Sequence, residues 1–114
     1  MKTKTAILVP GTSGLHIGAY QAAKYAAKGK ALVTSSLTQV EKYLKTGRLS
    51  KVIVIMGARG WNRTCISASE VYFKFKAQYP QVKCIVMDVW NWAAIPDMVL
   101  LSGKDTVKLI SRQL

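Results

Sequence analysis

The run KVIVIM at residues 51–56 constrains this chain more than any other stretch: after its first lysine it is apolar without a break and rich in β-branched side chains. Branching at Cβ favours extended backbone. A strand with one wet face alternates apolar and polar residues, whereas a continuous run marks one buried on both faces. Residues 51–56 therefore read as the central strand of an α/β domain.

The rest of the chain falls into place around that strand. AILV at 6–9 reads as a short strand broken by PGTSG at 10–14. Residues 15–28 carry alanine and apolar residues at helical spacing, with Gly29 as the stop. KALVTSS at 30–36 is a second strand whose Ser35 or Ser36 caps the next helix. In that helix, 37–47, Leu37, Val40, Tyr43 and Leu44 share a face and Gly47 ends it. A third helix over 66–79 repeats Ala68, Val71, Tyr72, Phe75 and Tyr79 at three and four, and Pro80 closes it. QVKCIVMDVW at 81–90 is a long strand, and a long connection follows. DTVKLISRQL at 105–114 reads as a last strand, with Lys108 and Arg112 on one parity and Val107 and Leu109 on the other. At 114 residues the chain is expected to form one domain, with no repeat or linker.

Charge narrows the function. Seventeen Lys and Arg face five Asp and Glu, for a net charge of +12, and no acid precedes Glu41. Charge of that size repels itself in a compact chain, and a polyanionic partner is its best explanation. The residues offer little for catalysis. One histidine, His16, and two cysteines 19 positions apart, Cys65 and Cys84, build neither a zinc site nor a triad. The scattered acids form no visible pair, so neither catalytic residues, nor a metal site, nor a cofactor is expected. No apolar run reaches the roughly 20 residues that span a bilayer. Residues 1–11 lack the apolar core and cleavage site of a secretory signal. An intracellular protein of cytoplasm, nucleus or nucleoid is expected, with both thiols reduced.

MGARGWNRT, residues 56–64, follows the central strand and precedes a helix. Arg59 and Arg63 bracket Gly60, Trp61 and Asn62 there. Backbone N–H groups at a helix start attract phosphate, guanidinium grips it in a fork, and an indole stacks on an unpaired base. The stretch is thus a candidate phosphate-and-base platform. Lys42, Lys45 and Arg48 lie on or just past the polar side of their helix, and Lys104, Lys108 and Arg112 cluster near the end of the chain.

The order of these pieces resembles the Alba family of archaeal and eukaryotic nucleic-acid-binding proteins, whose relatives include the small paired subunits of RNase P and RNase MRP. The likeness is carried by ALVTSSLTQVEKYLKTG, SKVIVIMGARGWNRTCISASEVYFKFKAQYP, VKCIVMDV and SGKDTVKLIS, with ARG at 58–60 at the family's loop and SGK at 102–104 before the final strand. It implies an α+β sandwich, β-α-β-α-β-β over residues 30–114, with 1–29 as an extra N-terminal β-α segment packed on that core. It also implies RNA or DNA as ligand, bound largely through the backbone by the basic loop and hairpin, and a homo- or heterodimer or ribonucleoprotein subunit. The resulting nucleic-acid site is Arg59, Gly60, Trp61, Asn62, Arg63, Lys42, Lys45, Arg48, Lys104, Lys108 and Arg112. A basic scaffold subunit with little affinity of its own fits the same composition. The main rival is a Rossmann-like nucleotide-binding enzyme or sensor. There residues 1–29 form the first β-α unit, and PGTSG and GARG are strand-end loops converging on a nucleotide. The rival makes 105–114 a helix, so that segment discriminates the two.

Overall fold

A computed structural model describes residues 4–9, 14–55, 68–88, 98–101 and 105–114, the side chains of 14–17 and 68–69 excepted. The elements run β1 (Thr5–Leu8), α1 (Gly14–Ala27), β2 (Leu32–Thr34), α2 (Leu37–Lys45), β3 (Lys51–Ile55), α3 (Ala68–Gln78), β4 (Lys83–Asp88), β5 (Val99–Leu100) and α4 (Thr106–Gln113). The strands make one parallel sheet in the order β2-β1-β3-β4-β5.

That order is the doubly wound arrangement of flavodoxin-like folds. Right-handed crossovers explain its layers. The step from β1 to β2 puts α1 on one face. The chain then reverses direction across the sheet, from β2 over β1 to β3, and α2 falls on the other face, where α3 joins it. Register and parity agree. Ala6, Val52 and Cys84 are partners in adjacent strands. With Leu8, Val54 and Val86 they pack against Val40 and Leu44 of α2 and Val71, Tyr72 and Phe75 of α3. Ile7, Ile53 and Ile85, also partners, face α1 and α4 together with Val9, Ile55 and Met87, meeting Ala23, Ala26, Ala27 and Ile110. α1 packs directly on α4.

Local sequence sets the ends. The Ser36 hydroxyl caps α2 by accepting from the Gln39 N–H at 3.2 Å. Gly47 leaves that helix at φ 73°, and Gly29 leaves the turn after α1 at φ 77°, a region open to glycine at no steric cost.

Two corrections follow. The expected last strand at 105–114 is helix α4. Val107 and Leu109 alternate as a strand would, but Ile110 breaks that alternation, lies three residues from Val107, and is fully buried. The β-β ending implied by the Alba resemblance is therefore replaced by β5 and α4 in a sheet whose five strands are all parallel. β1, from the segment expected to be an N-terminal extension, lies inside the sheet between β2 and β3.

Two measurements test this packing. Ile110→Ala should lower unfolding free energy by about 2–5 kcal/mol, the range for truncating a buried isoleucine, read by chemical denaturation. A residue on an exposed strand would lose far less. Cys84 is a free, buried thiol, and burial pushes its pKa up to about 12 against a smaller opposing pull from the Lys76 ammonium. It stays protonated at neutral pH. In a Cys65→Ser background, a thiol reagent at pH 8 should leave the native protein unlabelled and label it fully in denaturant. Rapid native labelling would show that the β4–α3 layer is open.

Candidate functional site

In a parallel sheet every strand starts at the same edge. Here the starts of β1 to β4 are basic. Lys4 precedes β1, Lys28 and Lys30 precede β2, Arg48 precedes β3, Lys51 is the first residue of β3 and Lys83 the first of β4. All are exposed except Lys51, which is half-buried. Taken in sheet order, Lys30, Lys4, Lys51 and Lys83 step across four adjacent strands, a row about 14 Å long at the usual interstrand spacing.

The described acids lie elsewhere. Glu41 sits inside α2 and pairs with Lys74 of α3 at 2.7 Å. Glu70 is in the first turn of α3 and Asp105 at the start of α4. Asp88 ends β4 and is buried. Among the described residues no acid stands on the strand-start edge.

Helix ends oppose this charge, and their size can be weighed. All four helices run back toward the strand starts, each presenting roughly half a negative charge at its C-terminus, about two in total. Lys45, Lys76 and Arg112 occupy the last turns of α2, α3 and α4. With the six strand-start bases they make nine cations, so the edge stays strongly positive.

The edge is also held in place. The Lys4 carbonyl accepts from Ser50 N–H at 2.8 Å and Lys51 N–H at 3.2 Å, and the Ser50 carbonyl accepts from Lys83 N–H at 3.0 Å. Leu49, between Arg48 and Ser50, is buried in the core. The Lys51 ammonium donates to the Gln113 carbonyl at 2.7 Å, satisfying the end of α4. Two features run against local stability. Lys51 and Lys83 are register partners of like charge. Lys28 sits at φ 50°, a left-handed conformation that costs a residue with a Cβ about 1–2 kcal/mol. Strain and repulsion concentrated on one exposed edge point to a role other than holding the fold.

An open pocket of about 380 Å³ adjoins this edge, lined by Lys28 and Lys30, Thr5 and Ser111 over Ala26 and Ala27. The C-termini of α1 and α4 turn their negative dipole ends toward it, so it is a poor seat for a lone small anion. The extended row of cations is the better candidate.

The residues expected from the sequence do not form one patch. Lys42, Lys45 and Arg48 belong to the α2 side of the sheet, while Lys108 and Arg112 belong to α4 on the other face. Of these, Lys45, Arg48 and Arg112 reach the strand-start edge. Arg59, Gly60, Trp61, Asn62, Arg63 and Lys104 lie outside the described residues. PGTSG falls outside them too, apart from the backbone of Gly14, as does Cys65. The sequence reading missed Lys4, Lys28, Lys30, Lys51 and Lys83. Their signal was there: a lysine stands just before TAILV, ALV, VIVI and CIVM. It gains meaning only once the strands are parallel.

No protein-family model, curated protein or solved structure matches this chain. Among the described residues, no helix is long and apolar enough to cross a membrane, and no group of three or more His, Cys, Asp or Glu is placed to hold a metal ion.

The like-charge pair gives a sharp test. Lys83→Glu should turn the repulsive Lys51–Lys83 pair into an attractive one and raise stability by about 0.2–1 kcal/mol in low salt, while weakening the binding of any polyanion to this edge. A variant both less stable and equally competent would show that the edge serves the fold alone.

Proposed function

We propose that this protein binds nucleic acid, RNA or DNA, largely without regard to sequence, by laying a phosphate backbone across the strand-start edge of its sheet. The observation that carries the reading is the segregation of charge: six strand-start bases stand where no described acid does. Phosphate contacts position a partner but do not read its bases. No reaction, metal or cofactor is part of the proposal. The expectation of a dimer or ribonucleoprotein subunit inside the cell comes from the resemblance to Alba proteins, whose β-β ending this chain does not share.

The row has a consequence that can be measured. Phosphates on one strand of a duplex repeat about every 3.4 Å along the axis, so a row of about 14 Å meets about four of them. The log–log salt slope on duplex DNA should then be near −4, and affinity should fall by about a hundredfold between 50 and 200 mM salt. Lys30→Gln and Lys83→Gln should each make the slope shallower by about one, equally on unrelated sequences. A flat response, or no binding at 50 mM salt, would end the proposal. If Arg59→Ala and Arg63→Ala change the slope and the lysine variants do not, the surface is at the opposite edge.

Two observations favour a second reading. Residues 105–114 form helix α4, as the Rossmann-like arrangement requires. The order β2-β1-β3-β4-β5 reverses between β1 and β3. In open parallel sheets ligands settle outside the carboxyl ends of the strands at such a point. PGTSG follows β1 and GARG follows β3, which supports a nucleotide site in a Rossmann-like enzyme or sensor. Competition separates the two: a mononucleotide that binds tightly in high salt and displaces no polymer supports the second.

A further inference from the structure

Tyr25 is the most exposed large hydrophobic residue described, at 71%. It lies on α1, two residues before the helix ends and three before Lys28. Nothing in the core accounts for it: the neighbouring alanines Ala23, Ala26 and Ala27 are the ones that α1 buries. The adjacent Lys24 is turned to Tyr20, its ammonium 5.7 Å from that ring centre. The Tyr20 hydroxyl in turn donates to the Val33 carbonyl at 3.4 Å. Tyr20 is thus built into the α1–β2 contact, whereas Tyr25 is exposed to solvent near the C-terminal end of α1.

Position separates Tyr25 from the other exposed aromatic among the described residues. Phe73, 49% exposed, lies mid-helix in α3, about 7–8 Å along the axis from that helix's end, and meets Tyr72 edge-on at 5.2 Å. Tyr25 is only about 3 Å along the axis from the end of α1. It stands within about one helical turn of Lys28, which precedes β2.

We infer that Tyr25 is a base-stacking residue, and that the strand-start edge therefore prefers single-stranded nucleic acid, or duplexes with an unpaired base, over intact duplex. The inference rests on the nucleic-acid reading above. The physics is differential. Cations attract the phosphates of either form, but a ring can stack only on a base that is already splayed from its neighbours. Tyrosine suits the task because it offers a π-face with a single polar handle, and stacking tolerates every base.

The test uses the whole chain, a labelled single-stranded oligonucleotide and a blunt duplex of the same length, titrated across a salt series. Tyr25→Ala should weaken single-strand binding by at least about fivefold, the lower bound that stacking on one base implies. Duplex binding should stay within about twofold, and the salt slope should not change, because no phosphate contact is lost. Tyr25→Phe should bind like the parent, and Phe73→Ala should not discriminate between the probes. Equal losses on both probes, no loss on either, or failure of Tyr25→Phe to restore binding would overturn the inference. The two levels stay distinguishable. If the parent binds neither probe, or Lys30→Gln leaves the slope unchanged, the nucleic-acid reading itself fails. If the lysine variants behave as expected and Tyr25→Ala does not, only the stacking role is wrong.

Discussion

The parallel pairing of β1 and β3 governs the rest of this molecule. Thr5–Leu8 lies in register with Lys51–Val54, and both strands are closed to water on both faces. A strand in that position cannot hand its backbone N–H and C=O groups to solvent, so it needs a neighbour on each side and a helix layer above and below. Reversal of the winding after β2 supplies both layers, with α1 and α4 on one face and α2 and α3 on the other.

The same constraint makes a surface. Parallel strands joined by helices bring every strand start to one edge and every strand end to the other. A lysine placed at the start of each of the first four strands is unremarkable along the chain, yet the fold gathers these lysines into a row. The resulting edge is separate in space from the strand-end edge, where doubly wound sheets take small ligands. A polymer at one edge and a nucleotide at the other would not compete for the same residues.

What the sequence displays follows the distance over which each signal acts. Strong local signals are legible: the apolar run of β3, the Ser36 cap, and the glycines that end α2 and the turn after α1. The segment 105–114 was not. Eight helical residues offer two turns, too few for a 3.6 period to outweigh a chance alternation, and only contact with α1 shows which face Ile110 uses. β5 has two residues, Val99 and Leu100, and presents no periodicity at all. The basic edge was hidden for a different reason. Lys4, Lys30, Lys51 and Lys83 are spread over much of the chain, and only strand order makes neighbours of them.

Charge on this edge also bears on why the fold tolerates it. Exposed cations in water interact weakly, about 1 kcal/mol for a pair at 4 Å and less at larger distance or in salt. The four helix C-termini take up part of the remainder, and Lys51 converts its own charge into a bond that closes α4. The core gives up little, since the side chains that fill it come from the opposite ends of the same strands: Ile53 and Ile55 beyond Lys51, Ile85 and Met87 beyond Lys83. A strand whose first residue lies at the edge and whose following residues face the core lets each be tuned without disturbing the other. Nucleic acid bound across the row would remove the residual repulsion, so the protein should gain stability from its ligand in proportion to the charge it carries uncompensated.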